Sequence, residues 1–286
     1  MNFIEKKTCS NTIRFFTNEK PLLKKYEDEK FKTSYLLPEK PERKGSGGLR
    51  LKNLFKKSLK NKPLISVVTP NLKSDTLEDA ILSVLNQEYE NIEHIVVDGD
   101  SGQKTLELIK KYENHIDYWI SEKDHGLWDG WNKGLRLATG DYVGILDSTT
   151  TFDKGAINIL KKYIGELHKC YLDYQNQWPF LKSVFNEVHI GRFNIQKYSP
   201  GDHFAHLHSE RVDLSSLHRL FAWMTYLNDV ENGATTNFSH YGIKIKPEIG
   251  KTLIWPAEWT HAHTGEILNS GIKYIITGWM HFPIKI

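Results

Sequence analysis

Two short runs in the last third of this 286-residue chain have the residue types and spacing for metal chemistry. The first is His208-Ser209-Glu210. Alternate residues of an extended segment project to one side, so an H-x-E pair can turn an imidazole and a carboxylate onto one ion. The second is His261-Ala262-His263, which offers a further imidazole from a distant segment. Two imidazoles and a carboxylate on one face of Fe(II) leave the remaining positions open, as an oxygen-activating site that also takes 2-oxoglutarate requires. The distal carboxylate of 2-oxoglutarate needs a buried cation, and Lys273 follows His263 by ten residues inside the β-like run KYIITGW. Periodicity leaves open whether Lys273 points inward. It also leaves a choice between His261 and His263, and a cupin-type set of His206, His208 and His261 competes with the first arrangement.

These side chains need a scaffold to bring them together. Helical YLDYQNQWPFLKSV leads into HIGRFNIQKY, LFAWMTYLN, YGIKIKP, KTLIWP and KYIITGW, short runs rich in β-branched and aromatic residues. Turns rich in Gly, Asn, Asp and Pro separate them, the cadence of a small all-β barrel or jelly roll. Upstream the texture differs. LISVVTP and IEHIVVDG read as buried strands, and TLEDAILSVLNQ and TLELIKKYENH as helices. YWIS, GLWDGWNKGLRLATG and YVGILD continue as strand, helix and strand. Strands alternating with helices imply right-handed crossovers and a mostly parallel sheet. The fold expected is therefore two domains, an α/β Rossmann-like half over 46–165 and an all-β jelly roll with a flanking helix over 166–286. A basic N-terminal extension, residues 1–45, precedes them and ends in the breaker cluster KPERKGSGG.

Composition sets the outer bounds. A hydrophobic content of 39% with 12% aromatics excludes a disordered or fibrous chain. No apolar run is long enough for a transmembrane helix. The start, MNFIEKKTCSNTIRFF, lacks the apolar stretch and cleavage site of a secretory signal. Cys9 and Cys170 are too few for a disulfide framework or a thiolate metal site, so a reducing, cytoplasmic setting is expected. The net charge of +3 is uneven: residues 1–62 hold 17 Lys/Arg against 7 Asp/Glu, a balance of +10 that leaves −7 for the rest. A basic arm can touch nucleic acid or a membrane surface. No nucleic-acid module accompanies this one, which favours a solvated leader with Lys-rich helix faces. Nothing in the sequence sets the oligomeric state.

Tyr198, His208-Ser-Glu210, YLND at 226–229, GKTLIWP, His263, Gly271, Lys273 and TGW occur in a telling order. On them, residues 170–284 resemble the prolyl-4-hydroxylase-like branch of the Fe(II)/2-oxoglutarate oxygenases. The resemblance implies a double-stranded β-helix with iron on His208, Glu210 and His263. It implies that Lys273 and Tyr226 hold the distal carboxylate of 2-oxoglutarate and that Tyr198 lines the pocket nearby. The implied reaction couples decarboxylation of 2-oxoglutarate to hydroxylation of a substrate. Glu210 stands where that family more commonly has aspartate.

LISVVTPN, NIEHIVVDGDS and DYWISEKDHGLWDGWNKGLRLATGDYVGILDS carry a second resemblance, over residues 46–160, to the family 2 glycosyltransferases of the GT-A fold. It implies a nucleotide pocket at the carboxyl edge of the parallel sheet, with Thr69 at the end of the first strand and Asp98 on the base. Glu122, Asp124 and Asp129 fall on that family's S-E-x-D-x-G and D-x-x-N-K-G stretch. The implied ligands are a nucleotide sugar and Mg2+ or Mn2+. Two departures qualify this. The acidic metal-binding cluster reads Asp147-Ser148-Thr149-Thr150, and hydroxyls replace carboxylates poorly on such ions. The half that would carry the acceptor site is replaced by the barrel. The expectation is an oxygenase fused to a degenerate nucleotide-sugar-binding domain, acting on a small molecule, a glycan or a protein side chain. Two readings compete with it: a metal-dependent glycosyltransferase with an accessory barrel, and a non-catalytic glycan- or nucleotide-binding protein.

Overall fold

The structure, a computed structural model, describes residues 3–7, 13–21, 23, 33–185 and 187–282. Part of the basic extension, with Cys9, lies outside the described residues. The chain divides between Lys162 and Tyr163 into two compact units. No helix among the described residues is long and apolar enough to cross a membrane.

The first unit opens with an antiparallel hairpin, β1 (Phe3–Lys7) and β2 (Ile13–Thr17). After β3 (Gly45–Gly47) come β4 (Ile65–Asn71), α1 (Leu77–Leu85), β5 (Ile92–Asp98) and α2 (Gln103–Lys111). Then follow β6 (Tyr118–Ser121), α3 (Leu127–Leu137) and β7 (Tyr142–Ile145). The sheet order is β3-β6-β5-β4-β7, parallel throughout except for β3. Every residue of β4 and β5 is buried, which is why both read as apolar runs without alternation. Leu77, Ile81 and Leu85 of α1 pack with Ile109 of α2 and Val96 on one face. Ile95, Val97 and Val68 meet Leu137 of α3 on the other. Helix α3 lies close because residue 134 is glycine: a Cβ there would stand 2.1 Å from Val68 Cγ1.

Two expectations need correction here. The glycine cluster at 45–47 is not only a chain breaker; it forms β3, the edge strand against β6. A Cβ on Gly47 would lie 2.4 Å from Trp119 Nε1, so the indole fills the space a side chain would need. The described residues of the extension contain no helix, and although most of residues 36–44 are exposed, part of the extension packs onto the first unit. Phe16 and Thr17 are buried, and Thr17 and Phe55 exchange backbone hydrogen bonds of 2.8 Å. Arg43 reaches Glu122 at 2.8 Å. Just beyond, Arg50 pairs with Glu93 at 2.5 Å and Lys56 with Asp117 at 2.6 Å, all four side chains buried. Several of the excess cations thus neutralise buried carboxylates of the sheet.

Helix α4 (Ala156–Gln177) and α5 (Phe180–Val184) lead into β8 (His189–Tyr198) and β9 (Arg219–Tyr226). The second unit continues with β10 (Thr236–Phe238), β11 (Ile243–Ile245), β12 (Thr252–Pro256), β13 (Thr264–Gly265) and β14 (Lys273–His281). Two antiparallel sheets, ordered β12-β9-β14-β8 and β11-β10-β13, form the jelly roll. Alternation along β9 sorts its side chains. Phe221 and Trp223 pack with Leu167 and Tyr171 of α4. Ala222, Met224 and Tyr226 face the other way, onto Phe238, Trp255 and Ile275.

Candidate functional site

His208 and His263 are joined by an isolated antiparallel bridge: His208 N–H donates to the His263 carbonyl at 3.2 Å, and His263 N–H returns the bond at 2.9 Å. Residues paired directly across such a bridge send their side chains to the same face, and the two imidazole centroids lie 4.3 Å apart. Glu210, two residues on, turns to that face. Its Oε1 is 3.6 Å from His208 Nε2 and 3.4 Å from His263 Nε2. Ligand atoms bound to one ion at about 2.1 Å and at right angles stand roughly 3 Å apart, so this spacing suits a common ion. Among the described residues, these three form the one group of His, Cys, Asp or Glu side chains gathered closely enough to hold a metal.

Hydrogen bonding prepares both rings as ligands. His208 Nδ1 lies 2.9 Å from the His206 carbonyl and His263 Nδ1 lies 3.0 Å from that of His261. A carbonyl can only accept, so each Nδ1 carries the proton and each Nε2 keeps its lone pair. Phe204 lies beside His208 at 4.4 Å between centroids with the rings tilted by 52°, and Trp255 lies 5.1 Å from His263. Burial works against charge at all three groups. At Glu210 it is outweighed by hydrogen bonds from His208 and Trp279 and by the nearby His263, which hold the carboxyl below its usual range. His263, more deeply buried and next to His208, is pushed down. His208 is raised despite burial, chiefly by its contact with Glu210.

A cavity of about 270 Å³ opens from this group and is lined by Tyr198, Met224, Thr236, Trp255 and Lys273. Lys273 is buried, and its ammonium donates to the Ala234 carbonyl at 2.8 Å. It lies 5.3 Å from the Tyr198 ring and 5.5 Å from the Tyr226 ring. Burial alone pulls its pKa down to about 8. Tyr198 is on the cavity wall, and its hydroxyl donates to Gln196 at 2.6 Å. Tyr226 stands behind the wall, fully buried, with its hydroxyl 2.6 Å from that of Thr236. His261 faces elsewhere, 5.0 Å from Tyr241, in a separate groove. The alternative set of His206, His208 and His261 is not gathered.

In the first unit the marked residues are scattered in role. Thr69 is fully buried with its hydroxyl 3.0 Å from His94 Nε2. Asp98 is fully buried as well. Its Oδ1 accepts from Asn71 at 2.8 Å and Ser101 at 2.5 Å, and its Oδ2 accepts from Ser121 at 2.7 Å and the Ser101 amide at 3.2 Å. Asp124 accepts from the Gly126 amide at 3.0 Å. Glu122 is buried among Arg43, Lys133 and Lys40. Burial opposes its charge, but Arg43 and Lys133 hold its carboxyl below the usual range. Asp129 meets Lys133 at 3.0 Å. Asp147 is half-buried, with Oδ1 buried and lacking a hydrogen-bond partner among the described residues. The carbonyl of the neighbouring Ser148 is taken by Thr76 at 2.8 Å and Ser74 at 3.1 Å. Ser148, Thr149 and Thr150 follow Asp147 where further carboxylates would suit a divalent ion, and among the described residues no group of three or more His, Cys, Asp or Glu side chains gathers around it.

Thr236 and Ala234 carry no signal of their own in the sequence, and Trp279 enters there only as the end of the TGW run, with no role attached. Period-two counting from an inward Lys273 leads to Ile275, Thr277 and Trp279, all of which line the cavity. Thr236 lies on a three-residue strand too short to show a pattern.

Comparison with known proteins supplies an independent finding. The model of glycosyl transferase family 2 matches residues 66–224 and that of the 2OG-Fe(II) oxygenase superfamily matches residues 193–281. The first match continues past α4 and overlaps the second on β8 and β9. An uncharacterized glycosyltransferase of Mycobacterium tuberculosis is 38% identical over 92 residues, 32% of this chain and 35% of the relative. A putative teichuronic acid biosynthesis glycosyltransferase of Bacillus subtilis is 37% identical over 111 residues, 37% and 43% of the respective chains. The chain thus spans less than half the length of these relatives. Among solved structures, a viral collagen prolyl hydroxylase from Paramecium bursaria chlorella virus-1 is similar at 22% identity. The overlap takes in 43% of this chain and 74% of that one, with a TM-score of 0.36. Residues 1–349 of Staphylococcus aureus TarS are similar at 23% identity over 37% and 33% of the two chains, with a TM-score of 0.34.

Proposed function

Since the chain belongs to glycosyl transferase family 2 and carries a domain of the 2OG-Fe(II) oxygenase superfamily, we propose that it is an Fe(II)- and 2-oxoglutarate-dependent hydroxylase whose family 2 unit binds a nucleotide sugar or glycan without transferring it. One observation carries this reading: His208, Glu210 and His263 converge on a cavity that also holds a buried lysine with no described ion-pair partner. His208, Glu210 and His263 would hold iron through two Nε2 atoms and a carboxylate oxygen. When bound, iron and 2-oxoglutarate supply the oxidising power to place one oxygen atom in a substrate C–H bond.

The protein's own groups prepare that chemistry. Lys273 offers its ammonium to the distal carboxylate of 2-oxoglutarate, where burial strengthens the attraction. Tyr198 and Tyr226 flank the ammonium and restrict its travel. Met224, Trp255 and Ile275 give the wall an apolar stretch that keeps bulk water from the metal ligands. Asn194, Gln196, Asp202 and Glu266 also line the cavity and favour a hydroxyl-rich substrate, such as a sugar, over an apolar one. In the first unit, Asp147 followed by Ser148, Thr149 and Thr150 rather than by further carboxylates, and Asp98 with both oxygens engaged, support binding or docking rather than metal-assisted transfer.

The test is turnover of 2-oxoglutarate by purified protein with Fe(II) and ascorbate. Succinate should form and should vanish in His208→Ala. Release of free nucleotide from a nucleotide sugar with Mn2+, and no succinate, would sink the proposal in favour of a glycosyltransferase.

A further inference from the structure

Glu210 has one more rotatable bond than aspartate, so its carboxylate must be restrained if it is to present one oxygen in a fixed place. The restraint is visible. Trp279 Nε1 donates to Glu210 Oε2 at 2.6 Å, while Oε1 is the oxygen facing both imidazoles. The Arg219 guanidinium lies 3.9 Å from the centroid of the Trp279 ring. Arg219 Nη1 also donates to the Glu210 backbone carbonyl at 2.8 Å. One arginine therefore braces both the indole and the main chain of the residue that the indole holds. The local strand geometry serves this contact. The β14–β8 register shifts between Gly278 and Met280, so Trp279 sits at an irregularity, the kind of feature that re-aims a side chain.

Resting on the metal reading above, we infer that Arg219 and Trp279 are positioning residues that withhold Glu210 Oε2 and leave Oε1 alone to bind the metal. A carboxylate ligand with both oxygens free can bind through one or both, and a second bond would occupy a position needed for 2-oxoglutarate or oxygen. The indole N–H removes that choice by keeping one oxygen engaged. Partners of this kind typically change metal affinity about 10–100-fold when removed.

The experiment uses Co(II) as the probe, with the full chain and no substrate. The wild type should bind one Co(II), and Trp279→Phe, which keeps a ring for Arg219 but loses the N–H, should bind it about 10–100-fold more weakly. At metal saturation the visible absorption of the Co(II) complex should differ from wild type, a change in coordination that loss of packing alone would not give. Arg219→Lys, which keeps the charge without the flat stacking, should shift affinity in the same direction by less. In a Glu210→Asp background, where the shorter arm no longer reaches the indole, Trp279→Phe should add little. If the wild type binds Co(II) and Trp279→Phe matches it in affinity and spectrum, the clamp is wrong while the metal site stands. Absence of Co(II) binding by the folded wild type would overturn the metal reading and the clamp with it.

Discussion

The ammonium of Lys273 is buried against the Ala234 carbonyl, 2.8 Å away, and makes no ion pair among the described residues. A charged group kept out of water without a counter-ion destabilises the fold unless an anion arrives. With its pKa at about 8, against an ordinary value of 10.5, holding the charge at neutral pH costs on the order of 3 kcal/mol. Lys273→Met should therefore stabilise the second unit by about 1–2 kcal/mol after the lost hydrogen bond is counted, and so raise its thermal midpoint, while removing 2-oxoglutarate binding. Scanning calorimetry and a 2-oxoglutarate titration on the same sample would check both halves. A variant that is destabilised and still binds would contradict this account.

The same group sets a pH limit. Lys273 is protonated below its pKa of about 8 and loses its charge above it. Affinity for 2-oxoglutarate should be level from pH 6.5 to 7.5 and fall progressively above pH 8. In the absence of ligand the sign for stability is opposite. The folded-state pKa is depressed, so the penalty of the buried charge is full below about 8 and is relieved as pH rises toward the unfolded value. Titrations at stepped pH, read by tryptophan fluorescence, would show whether the break falls there.

Metal binding should be visible without turnover. Mn(II) at a hundredfold excess over its dissociation constant should stabilise the protein by about 2.7 kcal/mol. His263→Ala should abolish that shift, and His261→Ala, which alters a ring in a separate groove, should leave it intact. Equal loss in the two variants would mean that the imidazoles had been assigned wrongly.

In the first unit, Glu93 is the centre of a buried network: it accepts from Arg50 at 2.5 Å, from Ser66 at 2.6 Å and from the Thr139 hydroxyl at 2.6 Å. Burial opposes its charge, but Arg50 and these donors hold its carboxyl below the usual range. Glu93→Gln should cost about 3–5 kcal/mol, because Arg50 keeps a buried charge. A urea transition for the first unit that moves by less than 1 kcal/mol would argue against this role.

Much of this organisation was legible in the residues, for physical reasons that differ by element. Strands β4 and β5 are buried on both faces, so their apolar runs need no partner to be read. The gathering of His208, Glu210 and His263 was legible as spacing, with the ten-residue offset to Lys273 favouring His263 over His261, whereas the isolated bridge that brings residues 208 and 263 together leaves no pattern. Asp98 could be placed at a strand end, yet the convergence of Asn71, Ser101 and Ser121 on it arises from three separate segments. Gly45–Gly47 read as a turn because the side chain that completes the strand is Trp119, far along the chain. Arg219 gave no signal, since its contact with Trp279 depends on where the strand register slips.

The bridge between residues 208 and 263 lies outside the strands, with only scattered backbone hydrogen bonds such as Gly265 N–H to the Phe204 carbonyl at 2.8 Å nearby. An ion gripping both imidazoles would turn that single rung into a clasp, closing a ring of about 55 residues much as a disulfide would. A covalent link of that span removes on the order of 4 kcal/mol of unfolded-chain entropy, and a reversible one captures part of it. Loss of an ion held there would thus loosen the barrel's rim mechanically before any question of catalysis arose.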